Sequence, residues 1–428
     1  MCGRNQGENL KRVERQQIHV FIGTKAQYIK TAPLLRLMQE GRVPYRLIDS
    51  GQHAGFSSTL RKELGIKEPD AVLHSKGDII SVLQAVRWFS KYIMMLLFRP
   101  KTVRHEIFQD GNGVCIIHGD TPSTLLALLL AKRVGLKVAH IEAGLRSFNA
   151  FKPFPEEMIR MICMRLSDYL FAPSEWAVQN LVHLGIKGEI VNIGQNTNVE
   201  SMYYALGQAR AEPLVPEKYC LMTIHRVETI LSKSRLSFVV SLAERIAERM
   251  KVGFVLHDPT RRKLEEFGLK DRLTGNPNIK VSGLINHSKF LAWLACADCV
   301  VTDGGSIQEE CHYLGVPCLI MRSETERQEG IGSNALLCDF DDEIVNSFLS
   351  SYSSLRGGHR LENIEPSRRI LETLLADFGN DPAGEYFPAG RTAEPPPVRG
   401  MPVGEDREIS NPAPSSEVKT FFGERVLL

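Results

Sequence analysis

The segment from His118 to Glu157, HGDTPSTLLALLLAKRVGLKVAHIEAGLRSFNAFKPFPEE, leaves the chain little choice of fold. The apolar run Val114 to Ile117 stops abruptly at His118-Gly119-Asp120-Thr121, as a buried strand does where it opens into a turn. Pro122 to Val134 is rich in Leu and Ala, carries its proline in the first turn and is followed by Gly135, so it starts and stops as a helix. Val138 to Ile141 is a second buried strand and delivers Glu142. Together these make one βαβ unit. Ligands of doubly wound sheets sit beyond the carboxyl ends of parallel strands, which puts Asp120 and Glu142 on one functional edge. Pro155-Glu156-Glu157 then opens another helix, where two acids taken alone are ordinary partners of the helix dipole.

The strand-then-helix rhythm runs through the whole chain. In the first half the strands are Ile18–Ile22, Tyr45–Ser50, Val114–Ile117, Val138–Ile141, Tyr169–Ala172 and Glu189–Ile193. In the second they are Cys220–Ile224, Gly253–Leu256, Lys280–Ser282, Asp298–Thr302 and Cys318–Met321. Such alternation predicts an α/β protein of two Rossmann-like parallel-sheet domains facing each other across a cleft. A polar connector, Gly194-Gln195-Asn196-Thr197-Asn198, places the division near residue 197. The expected organisation is a flexible lead-in at 1–17, domains at 18–197 and 198–378, and a tail at 379–428. The second domain ends in a closing helix, Pro366 to Phe378, and the tail is rich in Pro, Gly and charge.

Several functional classes fall away. With 52 basic and 50 acidic residues the net charge is +2, and no interleaving of aromatic and basic residues marks a nucleic-acid groove. The longest apolar stretch, Trp88 to Phe98, is far short of the roughly 20 residues an integral membrane segment needs. Nine scattered cysteines and a polar first seventeen residues predict a cytoplasmic protein. Cys296 and Cys299 form a CxxC with no second pair, so no metal site is expected.

HGDT, HIEAGLRS and PFPEE, in this order and spacing, resemble the UDP-N-acetylglucosamine 2-epimerase family, and the resemblance extends over roughly residues 18 to 350. Thr223-Ile224-His225-Arg226-Val227-Glu228 is similar to the family's T-x-H-R-x-E, and Met321-Arg322 with Thr325-Glu326-Arg327 to its MR-x-x-TER. The resemblance implies a fold of the glycosyltransferase-B type, a UDP-sugar substrate, no cofactor and a homodimer. It also implies catalytic roles for Asp120, Glu142, Glu156 and His225, and substrate contacts from Lys25, Lys30, Gln52, Arg146, Phe290, Ser306, Glu310 and Arg327. Gly304 and Gly305 open a helix whose amides can approach a diphosphate closely. Where the family reads Gly-Thr-Arg-Pro-Glu, this chain has Gly23-Thr24-Lys25-Ala26-Gln27, which keeps the charge and loses the bidentate fork. The segment after Gln52-His53, including His74 to Asp78, departs from the pattern that forms a regulatory nucleotide-sugar site in bacterial members.

The implied reaction is epimerisation at C2 of a UDP-N-acetylhexosamine by elimination of UDP to a glycal and re-addition, with a hydrolysing outcome open. A glycosyltransferase, or a nucleotide-sugar binding protein without turnover, is the alternative. The first would have no use for three clustered carboxylates.

Overall fold

The computed structural model describes residues 17–52, 54–74, 82–149, 154–208, 213–357 and 365–378. The lead-in before Gln17, His53, the stretch 75–81 and the expected tail from 379 lie outside them. Seven strands form one parallel sheet: β1 Gln17–Ile22, β2 Tyr45–Asp49, β3 Ala71–Val72, β4 Gly113–His118, β5 Lys137–Ile141, β6 Tyr169–Ala172 and β7 Glu189–Asn192. Their spatial order is β3-β2-β1-β4-β5-β6-β7. Six more form a second parallel sheet: β8 Tyr219–Thr223, β9 Lys251–Val255, β10 Ile279–Ser282, β11 Cys299–Thr302, β12 Cys318–Ile320 and β13 Ala335–Leu337. Here the order is β10-β9-β8-β11-β12-β13. Gln17, grouped by sequence with the lead-in, is the first residue of β1, and its N–H donates to Asn112 O at 2.8 Å.

The apolar runs become strands because helices cover both faces of each sheet. In the first sheet Val20, Ile116 and Ile141 face one core with Leu34 and Met38, whereas Cys115, Ile117 and Val138 face another with Leu126 and Leu130. The second sheet repeats the arrangement, with Met222 and Val301 on one side and Leu221 and Val300 on the other. Trp88 and Tyr92, from the apolar stretch tested above, are buried against the first sheet. No described helix is long and apolar enough to cross a membrane.

Two helices join the lobes. Thr197–Gln208 begins at the predicted division and packs on Lys25–Glu40 of the first lobe and His287–Cys296 of the second. The closing helix, Pro366–Asp377, was grouped by sequence with the second domain, yet Ile370, Leu371, Leu374 and Leu375 are buried in the first-sheet core beside Ile18 and Leu34. Full burial of such side chains is worth about 1.5–3 kcal/mol each, enough to bring the chain back across the cleft.

Strand order reverses between β1 and β4 in one sheet and between β8 and β11 in the other. Those are the switch points where crevices open beyond the strand ends.

Candidate active site

A cavity of about 570 Å3 lies between the lobes at these switch points. From the first lobe it is lined by Lys25, Lys30, Asp120, Glu142, Glu156 and Arg160, and from the second by His225, Arg226, Gly304, Gly305, Glu310 and Arg327. Phe290 and Ser306 line it as well.

Lys25 opens the helix Lys25–Glu40 just after β1. Thr24 caps that helix, accepting from Gln27 N at 3.3 Å, while Gln27 Oε1 accepts from Gly23 N at 2.7 Å and Thr24 N at 3.1 Å. The Gln27 amide then donates to His118 O at 2.6 Å and Thr124 Oγ1 at 2.8 Å. A glutamate could not donate to that carbonyl. Gln27 thus ties the Lys25 turn to the strand end that presents Asp120.

Glu142 follows β5 with φ at +68°, a backbone strain that aims its side chain into the cavity. Its Oε1 accepts from Lys30 Nζ at 2.7 Å, from Arg327 Nη2 of the other lobe at 2.8 Å, and from Asn196 Nδ2. His118 Nδ1 lies 3.5 Å from Oε2. Burial acts to raise the Glu142 pKa, but Lys30 and Arg327 outweigh it and hold the carboxyl well below the usual range.

Glu156 is in the opposite state. Its Oε2 is buried without a hydrogen-bond partner among the described residues, and burial, reinforced by Asp120, raises its pKa. Asp120, a quarter exposed, accepts from Arg160 Nη2. Three carboxylates that look alike in sequence therefore occupy three environments: one saturated with cations, one on a single guanidinium, and one with a buried oxygen that has no hydrogen-bond partner among the described residues.

On the second lobe, buried Asp303 accepts from His225 N at 3.0 Å and Arg226 N at 2.9 Å, fixing the turn after β8. The His225 ring stacks on His257 with centroids 4.7 Å apart. Burial lowers the pKa of both, and that of His257 falls to about 4, so the pair meets a ligand as neutral imidazoles, not as cations. Gly304 caps the helix Gly305–Tyr313 without a side-chain hydrogen bond, leaving first-turn N–H groups directed at the cavity. A Cβ at Gly305 would stand 2.8 Å from Glu326 Oε1 and 3.2 Å from Arg327 Nε. Burial pushes Glu310 up to about 7. Arg327 Nη1 bonds Glu309 Oε2 at 2.8 Å.

Two residues assigned to substrate from the sequence do not line the cavity. Gln52 follows β2, one strand away from the switch point, where its N–H donates to Ser50 Oγ at 3.3 Å. Arg146 turns behind the site, donating through Nε to Glu157 and lying 5.0 Å over the Phe148 ring. Arg160, Asn196, Asn198, His257 and Glu326 were not assigned roles beforehand. Their signals were a place at a strand end, in the interlobe connector, one turn beyond Glu156 or, for Glu326, beside Arg327 in the Thr325-Glu326-Arg327 block, each of which is common in structural residues. Among the described residues no cluster of His, Cys, Asp or Glu is arranged to hold a metal ion.

The chain matches the family described as UDP-N-acetylglucosamine 2-epimerase over residues 35–366. It is 32% identical over 351 residues to the UDP-N-acetylglucosamine 2-epimerase of Methanococcus maripaludis, covering 77% of this chain and 90% of that one. It is 29% identical to the UDP-2,3-diacetamido-2,3-dideoxy-D-glucuronate 2-epimerase of Pseudomonas aeruginosa, covering 84% and 99%. The crystal structure of the Methanocaldococcus jannaschii UDP-GlcNAc 2-epimerase in complex with UDP-GlcNAc and UDP superposes with a TM-score of 0.72 at 28% identity, covering 84% of this chain and all of that one. Matched blocks, paired parallel sheets and relatives aligned over nearly their full length agree: this chain belongs to the UDP-N-acetylglucosamine 2-epimerase family.

Proposed function

We propose that the protein epimerises C2 of a UDP-linked N-acetylhexosamine by eliminating and re-adding UDP. The observation that carries this reading is the meeting, in one cavity, of Asp120, Glu142 and Glu156 from one lobe with the Gly304–Ser306 helix start, Glu310 and Arg327 from the other. UDP rests on the second lobe. The diphosphate lies on the amides of the glycine turn, with Lys25 and neutral His225 as further donors, the ribose hydroxyls on Glu310, and the base by Phe290.

The chemistry is redox-neutral. A carboxylate takes the C2 proton, the C2–H electron pair forms the C1–C2 double bond, and the C1–oxygen bond breaks toward UDP, giving a glycal. UDP then re-adds at C1 while a carboxylic acid delivers a proton to the other face of C2. The two steps need one ionised and one protonated group facing the same carbon. Asp120, engaged by Arg160, suits the first role, and Glu156, whose pKa is raised by burial and by Asp120, suits the second. Glu142, held as an anion by Lys30 and Arg327, has no proton to give; it opposes positive charge developing at C1. Capture of the glycal by water in place of UDP would release the free hexosamine with the same residues.

Incubation with UDP-N-acetylglucosamine in deuterated water, followed by NMR, tests the reading. The expected result is deuterium at C2 with the manno epimer, or UDP with free N-acetylmannosamine; a product protonated at C2 would mean sugar transfer. The P. aeruginosa relative makes the diacetamido-glucuronate a second substrate to assay in parallel.

Gly305→Ala is expected to weaken UDP binding about tenfold or more, ~1.4 kcal/mol by calorimetry. The new methyl would press on Glu326 and Arg327, which are pinned by Arg322 at 3.0 Å and Glu142 at 2.8 Å. Unchanged affinity would remove the diphosphate from this turn. His225→Ala is likewise expected to lower UDP affinity; an unaltered affinity and rate would make that histidine structural. The same reading carries a cytoplasmic homodimer. Met158, Ile162 and Leu166 offer an exposed apolar stripe for pairing, and a monomer mass in sedimentation would end that part of it.

A further inference from the structure

We propose that Arg160 and Glu157, with Arg146 behind them, form a buried charge relay that holds Asp120 as the proton-accepting carboxylate. The proposal rests on the elimination chemistry above and adds to it the device that decides which of two facing carboxyls is the base.

The side chains alternate in sign from behind the site to the cavity. Arg146 Nε donates to Glu157 Oε1, Arg160 Nη1 to Glu157 Oε2, and Arg160 Nη2 to Asp120 Oδ2. Ser147 N adds a bond to Glu157 Oε2 at 3.2 Å. Arg160 is 3% exposed and Glu157 1%, so neither is an ion pair of convenience on the surface. A guanidinium has only donors, and both carboxylates must therefore accept. Glu157 uses both oxygens on this network, which anchors the fork, and Arg160 reaches the cavity with one arm committed to Asp120. Adjacent Glu156 takes no part, and its Oε2 has no partner among the described residues.

Of the carboxyls of Asp120 and Glu156, both lining the cavity, the one that accepts from a fixed guanidinium is positioned as the anion. The groups around the pair come from every packed element. Glu156, Glu157, Arg160 and Cys163 lie on one helix, and His140 and Glu142 at the end of β5. Arg226, Glu228 and Glu326 approach from the second lobe. Of these, only Arg160 donates a hydrogen bond to Asp120 within the described residues.

The test is the pH dependence of kcat/KM for UDP-N-acetylglucosamine in wild type, Arg160→Met, Arg160→Lys and Glu157→Gln, with UDP affinity and thermal midpoint measured alongside. Arg160→Met is expected to lower kcat about 100-fold, within the span of acid–base contributions, with KM changed far less. Its acidic limb should move up, because Asp120 loses the guanidinium that donates to it. Arg160→Lys should return the limb toward its wild-type position. Glu157→Gln, outside the cavity, should lower kcat more modestly without altering UDP affinity. A slow Arg160→Met enzyme with an unmoved acidic limb, or Arg160→Lys indistinguishable from Arg160→Met, would overturn the relay while leaving the epimerase reading intact. If wild type never exchanges the C2 hydrogen, that reading fails, and the relay, which rests on it, fails with it.

Discussion

Glu156→Gln should lose about 10²- to 10⁴-fold of kcat while UDP still binds and the thermal midpoint does not fall. The rate loss follows because an amide cannot deliver the proton that re-addition of UDP requires. Retained stability follows from linkage. Burial raises the folded-state pKa of Glu156 above that of the unfolded carboxyl, so its favourable contribution is complete below the unfolded value, about 4.3, and is lost as pH rises through the folded one. Glutamine removes that penalty and leaves Oε2, which has no hydrogen bond among the described residues, no worse placed. In wild type the same titration gives the basic limb of the pH–rate profile, since activity disappears as Glu156 loses its proton. A Glu156→Gln enzyme with wild-type kcat, or one inactive because it is unfolded, would take this carboxyl out of the acid role. Asp120→Asn should lose a similar share of turnover from the acidic side.

Glu142→Gln should combine loss of turnover with a large loss of stability, on the order of 3–5 kcal/mol, the usual result of removing one partner from a buried charge pair. Lys30 and Arg327 both converge on Glu142 Oε1, and all three side chains are almost wholly buried. Withdrawing the anion strands two largely buried cations between the lobes; Glu309 still holds Arg327, but no other carboxylate is paired with Lys30 among the described residues. The wild-type pH dependence has the opposite sign to that of Glu156. The depressed Glu142 pKa gives stability that is present above the unfolded carboxyl range and is lost as pH falls through the folded value. Denaturant titration with and without UDP measures both effects. A Glu142→Gln protein as stable as wild type would show that the Arg327–Glu142 bridge does not join the lobes.

The architecture was legible in the sequence because parallel strands buried on both faces must be short continuous apolar runs, and each run here gives way to polar or glycine residues where the strand ends. Asp120, Glu142, His225 and Gly304 could be placed on strand ends on that ground alone. Arg146 and Gln52 were misplaced for a related reason. Proximity along the chain put them beside the site, whereas rotation about the 142–147 turn and the offset of β2 from the switch point took them away from it. The closing helix shows a similar limit, since an apolar stripe at Ile370, Leu371, Leu374 and Leu375 reports that a helix is buried without reporting on which lobe.

By itself, then, the sequence determined the two parallel sheets, the order of the lobes and the residue types at their carboxyl edges, because those follow from hydrophobic periodicity and turn chemistry over a few residues at a time. Only the tertiary structure decided the surroundings of the three carboxyls. Lys30 and Arg327 converge on Glu142, Arg160 donates to Asp120, and Glu156 Oε2 is left without a hydrogen-bond partner among the described residues, and those partners arrive from up to 185 positions away along the chain.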